Sequence, residues 1–211
     1  MAASPTPIYH ITHVGNLPGI IGAGGLQCNG TLKGAGTDYA NIAHDTVQDR
    51  RQYTMVPCGP GGVLQDYVPF YFAPRSPMLY TISRGNVPTC PQGQGPIVHL
   101  VSTAQAVEAQ GLGFALTNGH GIVVLTDFYD DLQQLDEVDW KVMPLKYWHD
   151  TAEEPDRKRR RQAEFLVHRL FPWDLVTEIG VWTAAVQAQV QAALAATPHK
   201  PPVTIRPGWY Y

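Results

Sequence analysis

The chain has 211 residues, of which 44% are hydrophobic, and its formal net charge is −3. This length suits one substantial core, and we expect a single domain over residues 1–211. The slightly acidic balance excludes a protein covered in basic surface, so any contact with nucleic acid must be local.

The cysteines and the apolar runs exclude further classes of protein. Cys28, Cys58 and Cys90 form no CxxC pair, so we predict neither a disulfide framework nor a zinc site, and we expect no metal. The N-terminal residues lack a signal-peptide pattern, and no apolar run approaches the roughly 18 residues that span a bilayer. We therefore expect a cytoplasmic protein without membrane contact.

The first predicted element is a strand over residues 7–14, with His13 near its end. Asn16 is expected to cap a short helix that ends before Gly24. A histidine at a strand end usually makes structural hydrogen bonds, but a strand end beside a helix N-terminus also suits a bound ligand. His13 is therefore a candidate.

A weak helical pattern over residues 41–53 carries two adjacent arginines, Arg50 and Arg51. On a helix they point about 100° apart, so at most one of them can face the core. A solvated surface pair is the alternative for both.

The densest aromatic stretch covers residues 67–82 and predicts a strand that ends before Pro74. Its two phenylalanines are expected to fill the core, which leaves Tyr71 on the opposite face. The Tyr71 ring could stack on a planar ligand, with Arg75 just beyond it and Met78 as an adaptable wall.

The middle and the end of the chain alternate between strand and helix patterns. We predict strands over residues 97–101, 121–126, 176–182 and 203–211, and helices over residues 102–110, capped by Ser102, and after the cap Thr183. The turn Thr117–His120 lies between strands and needs no function to explain it, although it could have one.

Five consecutive basic residues, 157–161, lie just before Glu164, which begins a predicted buried strand. Glu164 is either the ion-pair partner of an adjacent arginine or a desolvated carboxylate that faces a cleft. The basic run is either a solvated loop, offset by nearby acids, or a contact for phosphates. The long preceding loop, which contains Trp148, is of a length typical of functional loops.

Five motifs occur in a fixed order: I-T-H-V-x-N-L, Q-D-R-R, Y-V-P-F-Y-F-x-P-R-S-P-M-L-Y, D-W and K-R-R-R-Q-A-E-F-L-V. Together they resemble the DarT family of DNA ADP-ribosyltransferase toxins. The resemblance runs from about residue 8 to the final W-Y-Y, and the joint order is far more specific than any one motif.

The resemblance implies an α+β fold like that of the poly-ADP-ribosyltransferases, in which a central split β-sheet with flanking helices and a long substrate loop forms a cleft for NAD. It implies transfer of ADP-ribose from NAD, as co-substrate, to a thymine base in single-stranded DNA. It also implies neutralisation by a macrodomain antitoxin of the DarG type.

Site residues follow from the same motifs. The catalytic positions that the resemblance implies are Glu164 and Arg51. The implied NAD contacts are Thr12, His13, Asn16, Leu17, Tyr71 and Met78. The residues predicted to contact DNA are Arg75, His120, Trp148, Lys158, Arg159 and Arg160.

Two other functions fit the sequence. One is an ADP-ribosyltransferase that acts on RNA or on a protein side chain, and the other is a non-catalytic nucleic-acid-binding module. Trp148 beside the basic run favours nucleic acid, because base stacking and phosphate contacts act together in single-strand binding. The presence of His13, Tyr71 and Glu164 together disfavours the non-catalytic module.

Overall fold

A computed structural model describes residues 4–211 of the chain, which form ten strands and seven α-helices. The strands are β1 (Pro7–His13), β2 (Gly25–Gln27), β3 (Tyr67–Tyr71), β4 (Ile97–Thr103), β5 (Phe114–Thr117), β6 (Phe128–Tyr129), β7 (Glu164–His168), β8 (Leu170–Pro172), β9 (Glu178–Val181) and β10 (Val203–Ile205). The helices are α1 (Leu17–Gly22), α2 (Asn29–Gly34), α3 (Asp45–Arg51), α4 (Pro77–Ser83), α5 (Ala104–Ala109), α6 (Arg157–Arg160) and α7 (Ala184–Ala193).

Eight strands form one sheet in the order β10-β9-β4-β1-β3-β7-β5-β6, and β2 and β8 form a small second sheet. Only the β10–β9 pair is parallel among the strands of residues 4–211. Strand β7 lies inside the sheet between β3 and β5, and its apolar residues are fully buried because core elements cover both faces. The predicted α+β fold with a large central sheet and flanking helices is confirmed.

The sheet is split, as the family resemblance implied, and the split lies between β1 and β3. Strand β1 pairs with β4 along its whole length but meets β3 only where Tyr9 lies opposite Tyr71. Pro69 has no N–H to continue the ladder, and the His10 ring nitrogen Nδ1 lies 2.8 Å from the Pro69 carbonyl oxygen instead. Burial lowers the pKa of His10 to about 4, so a neutral ring donates this hydrogen bond. The split leaves a cleft between β1 and β3.

The side-chain directions predicted for the aromatic strand are correct. Phe70 and Phe72 belong to the main core cluster, where Phe70 packs on Phe171 and Phe72 packs on Phe165. Tyr71 points away from this cluster and remains partly exposed. One face of β3 therefore builds the core, and the other borders the cleft.

The strand predicted over residues 121–126 is wrong. Val124 and Leu125 are 97% and 76% exposed, and the segment consists of turns in which Val123 N–H bonds to His120 and Thr126 N–H bonds to Val123. The nearby strand is β5, whose four residues are all buried. Apolar composition alone did not reveal that the N–H of Gly121 bonds to the side chain of Glu164.

Other details of the elements also differ from the predictions. Ser102 does not cap a helix, because it pairs with Ile8 in the extended strand β4, and Thr103 caps α5. The last strand ends at Ile205 and not at residue 211, since Pro207 starts a turn of 3-10 helix. Asn16 precedes α1 but makes no capping hydrogen bond.

The basic run is not a loop. Residues Arg157–Arg160 form the single helical turn α6, and the fifth basic residue, Arg161, is buried with only 1% exposure.

Candidate active site

The cleft at the split in the sheet is a cavity of about 1100 Å³. Its walls come from the end of β1, the outer face of β3, α4, and the segment that precedes α3. Ten of the residues predicted for the site line it: Thr12, His13, Asn16, Arg51, Tyr71, Met78, His120, Trp148, Lys158 and Glu164. A cleft of this size accommodates a small molecule of cofactor size.

Glu164 lines this cleft, and the residue is 3% exposed. Arg51 donates from a guanidinium nitrogen to Oε1 at 2.7 Å, and the backbone N–H of Gly121 donates to Oε2 at 3.0 Å. Arg51 reaches Glu164 from α3, a part of the chain 113 residues away. Glu164 therefore does form an ion pair, but with the distant Arg51 and not with an adjacent arginine. The same carboxylate is desolvated and borders the cleft, so both interpretations of Glu164 are partly correct.

The charge of Glu164 is fixed by its surroundings. Burial alone would raise the pKa of this carboxyl, but the positive charge of Arg51, followed by the nearby His120, outweighs it and lowers the pKa to about 2. Glu164 is consequently ionised across the physiological pH range. A buried anion held by two donors is a preorganised electrostatic group.

The turn Gly119–Gly121 brings His120 to the same carboxylate. The Nδ1 atom of His120 lies 3.7 Å from Oε2 of Glu164, which is beyond hydrogen-bond range, and it makes no hydrogen bond to any described residue. A Cβ atom on Gly121 would lie 2.9 Å from Oε2 of Glu164 and 3.0 Å from Leu64. Gly121 is thus the residue that lets the backbone approach Glu164 so closely.

Tyr71 and His13 lie at the two strand ends that face the cleft. Tyr71 lies opposite Glu164 in the β3–β7 pairing, so its ring and the carboxylate are neighbours on adjacent strands. His13 ends β1, and its Nδ1 accepts a hydrogen bond from the N–H of Gly15 at 3.0 Å. Burial, which has the larger effect, and the negative charge of Glu164 both raise the pKa of Tyr71, so its hydroxyl stays protonated.

Asn16 fastens the segment that covers one side of the cleft. Its side-chain oxygen accepts from the N–H of Ala40 at 2.8 Å, and its side-chain nitrogen donates to the Ala40 carbonyl at 3.0 Å and to Thr12 Oγ1 at 3.1 Å. The Asn16 amide therefore pairs with Ala40 as one strand residue pairs with another. This contact explains why Asn16 makes no helix cap.

The basic helix α6 is largely neutralised by nearby acids. Arg159 donates two hydrogen bonds of 2.8 Å to Asp156, and Arg160 pairs with Asp139 and Glu154. Neither Arg159 nor Arg160 lines the cleft, whereas Lys158 lines it and forms no ion pair within residues 4–211.

Three other predicted contacts occupy positions that limit what they can do. Leu17 is fully buried in the main core and does not line the cavity. Arg75 is half-buried near the rim, also outside the lining. Trp148 lines the cavity but is only 4% exposed, because its ring packs edge-on against Tyr80.

The structure adds residues that the sequence prediction missed: His10 at the split, Gly121 behind Glu164, the buried Arg161 and the half-buried Tyr211. The pair of glycines that flank His120 was a readable signal, since glycine commonly marks a close backbone approach. The others depend on contacts between distant parts of the chain and had no local signal.

Residues 4–211 contain no group of three or more His, Cys, Asp or Glu side chains placed to hold a metal ion. None of the helices in the described part of the chain combines the length and the apolarity needed to cross a bilayer.

Comparison with known proteins gives consistent matches. The family model described as "DarT: ssDNA thymidine ADP-ribosyltransferase, DarT" matches residues 9–211. A DNA ADP-ribosyl transferase of Thermus sp. (strain 2.9) is 45% identical over 209 residues, which is 98% of this chain and 97% of that protein. A DNA ADP-ribosyl transferase of Escherichia coli O127:H6 is 34% identical over 206 residues, 97% of this chain and 93% of that protein.

Solved structures of Thermus sp. 2.9 DarT have the same fold. The complex with ADP-ribosylated single-stranded DNA superposes with a TM-score of 0.94 at 44% identity and covers 100% of this chain and 99% of that one. The complex with NAD+ superposes with a TM-score of 0.88 at 42% identity and covers 100% of both chains.

Proposed function

Because the chain belongs to the DarT family of single-stranded-DNA thymidine ADP-ribosyltransferases, we propose that it transfers ADP-ribose from NAD to a thymine base in single-stranded DNA and releases nicotinamide. The observation that carries this proposal is the buried, ionised Glu164, held by Arg51 and Gly121 in the wall of a cleft of about 1100 Å³.

The reaction places a specific demand on Glu164. The bond between the nicotinamide nitrogen and the ribose carbon breaks with its electron pair on nicotinamide, which leaves an oxocarbenium-like ribose. A carboxylate that holds the ribose 2′-hydroxyl stabilises this developing positive charge. Glu164 supplies such a charge without forming a covalent bond.

The second half of the reaction concerns the base. The imide nitrogen of thymine forms the new bond to the ribose carbon and releases its proton to solvent, so that NAD+ and DNA give modified DNA, nicotinamide and H+. A nitrogen that still carries its proton is a poor nucleophile, and a neighbouring cation favours the deprotonated form. Arg51 is the cation nearest to Glu164 and takes this role.

Binding of NAD is assigned to the cleft between β1 and β3. His13, Thr12 and Asn16 would contact the ribose side, while Tyr71 stacks on nicotinamide and Met78 packs beside it. Leu17 acts from the core, where it fixes the start of α1.

Binding of DNA is assigned to the opposite rim. Lys158 and Arg75 would contact phosphates, and His120 and Trp148 would lie near the base. Single-stranded substrate fits this arrangement, because the reactive nitrogen of a paired thymine is hidden in the duplex and the base would first have to be flipped out.

Arg159 and Arg160 have a different part in the proposal. Their guanidinium groups are engaged by Asp156, Asp139 and Glu154, so they contribute to DNA binding mainly through the shape of the rim.

The direct experiment is to incubate the protein with labelled NAD and, separately, single-stranded DNA with and without thymine, duplex DNA, RNA and a protein mixture. We expect label only in single-stranded DNA that contains thymine. Label in RNA or protein would favour the other transferase function, and no label anywhere would favour the non-catalytic module.

We also propose that residues 1–211 act as one domain. The enzyme works as a toxin in the cytoplasm, where NAD and DNA are both present. A macrodomain antitoxin of the DarG type neutralises it. Growth arrest on expression, relieved by co-expression of such an antitoxin, is the expected result. Arrest that no antitoxin of this class relieves would contradict the last point.

A further inference from the structure

A single half-buried backbone carbonyl, that of Arg75, connects two walls of the cleft. The carbonyl oxygen of Arg75 accepts a hydrogen bond of 2.6 Å from the Arg161 guanidinium and one of 2.9 Å from the Tyr211 hydroxyl. The oxygen of the same hydroxyl accepts a hydrogen bond of 3.2 Å from the Nε1–H of Trp148. We call these four residues the carbonyl hub.

The hub joins segments with different proposed tasks. Arg75 directly precedes the N-terminus of α4, which carries Met78 on the NAD side of the cleft. Trp148 lies on the side assigned to DNA, and Arg161 is located three residues before Glu164. Each segment reaches the same carbonyl or the hydroxyl bonded to it.

The burial of Arg161 lowers the stability of the fold unless other interactions offset it. Its side chain is 1% exposed, it forms no ion pair within residues 4–211, and its Nε atom makes no hydrogen bond to a described residue. A buried charge without a carboxylate partner is unfavourable for folding. Holding the Arg75 carbonyl beside the cleft gives this charge a function.

Tyr211 is itself fixed at both ends. Its N–H donates to the side-chain oxygen of Gln94 at 3.1 Å, and its carbonyl accepts from the Gln94 nitrogen. Its ring packs edge-on against Tyr80. The hydroxyl therefore has a defined place from which to hold both Arg75 and Trp148.

We infer that Tyr211 and Arg161 are positioning residues that hold the DNA-facing wall at Trp148 in register with the NAD-facing wall at Met78. This inference rests on the proposed function, since the register matters only if a base must meet the ribose that nicotinamide leaves. Loss of the register leaves NAD bound and cleaved, but water then captures more of the ribose. The measurable quantity is the ratio of DNA labelled to nicotinamide released.

The test uses Tyr211→Phe, which removes one hydroxyl and keeps the ring. We expect the ratio of labelled DNA to released nicotinamide to fall about fivefold, the scale of one hydrogen bond. Nicotinamide release without DNA should stay within about twofold, because Glu164 and Arg51 are untouched.

Tyr210→Phe is the matched control. Its hydroxyl is buried and also donates to a backbone carbonyl, that of Ile97 at 2.8 Å, and it lies 3.3 Å from the Gly180 carbonyl and 3.3 Å from Nδ1 of His99, all of them residues of the sheet. We expect both variants to lose similar thermal stability, and only Tyr211→Phe to change the ratio. An unchanged ratio in Tyr211→Phe, or an equal fall in both variants, would overturn the inference.

A second variant separates coupling from simple loss of packing. Trp148→Phe removes the donor on the other side of the same hydroxyl, so combining it with Tyr211→Phe should lower the ratio less than the product of the two single effects. Independent effects would also count against the hub. If the wild-type protein labels no DNA at all, the proposed function fails first, and that result differs from a failure of the hub alone.

Discussion

Two clusters of arginines and carboxylates lie within the same 211 residues, and they differ in almost every physical respect. In the first, the side chains of Arg51 and Glu164 are 7% and 4% exposed and come from distant parts of the chain. In the second, α6 and its neighbours exchange many ion pairs at the surface, where the partners Glu154 and Asp156 are 39% and 44% exposed.

A high local density of charged residues is therefore a poor guide to the position of the active site. Exposed ion pairs contribute about 0–1 kcal/mol each and are screened by salt, so the α6 cluster mainly shapes the rim. A buried pair costs desolvation and is often less stabilising than apolar packing would be. The buried pair of Arg51 and Glu164 in the wall of a cleft therefore points to function more strongly than five consecutive basic residues do.

The largest expected effect comes from breaking the buried pair on its basic side. Arg51→Ala should lower transfer about 100-fold, because it removes a preorganised charge, and should lower stability by about 3–5 kcal/mol, because Glu164 is left buried and unpaired. Transfer is measured per folded molecule, alongside a thermal melt.

Arg50→Ala is the matched control for this prediction. Arg50 is exposed and donates to the Ile122 carbonyl at 2.9 Å, so a small effect on both quantities is expected. Equal losses in the two variants would mean that the ion pair with Glu164 is not what distinguishes Arg51.

A smaller effect is expected on the α6 side. Lys158→Ala should flatten the salt dependence of single-stranded DNA binding by about 0.7 log units per tenfold change in salt, the value for one lost phosphate contact. Arg159→Ala should leave this slope unchanged, because its guanidinium is already bonded to Asp156. Binding isotherms at several salt concentrations measure both slopes, and the opposite order would contradict the assignment of Lys158.

Acid gives the most gradual difference. The pKa of Glu164 is about 2 in the folded protein, below the ordinary value of 4.5, so its ionisation contributes stability that is present above pH 4.5 and lost as the pH falls towards 2. Glu164→Gln should remove that part of the acid dependence. Melting curves between pH 5 and pH 2 that fall equally steeply for both proteins would show that the folded pKa is not depressed.

The sequence predicted those parts of the molecule that depend on local pattern. The direction of Tyr71 followed from the alternation of β3. The spacing on α3 predicted that at most one of Arg50 and Arg51 faces the core, and only Arg51 is buried. The family motifs supplied the split sheet, which the pairing of β1 with β3 confirms.

Contacts between distant segments were beyond prediction. The turn at Gly121 was interpreted as a strand because Val124 and Leu125 are apolar, yet both are exposed. Nothing near Arg159 in the sequence indicated that its guanidinium would also reach Asn118. Likewise, the bond between Tyr211 and Arg75 joins residues 136 positions apart.

We propose that the buried carboxylate of Glu164, and not the exposed carboxylates near α6, carries the reaction. The most direct test is single-turnover transfer to an oligonucleotide with one thymine, compared between Glu164→Gln and Glu154→Gln. We predict that Glu164→Gln lowers the rate by at least about 100-fold with NAD affinity largely kept, whereas Glu154→Gln stays within about twofold of the wild type. A Glu164→Gln protein that transfers ADP-ribose at the wild-type rate would contradict the account.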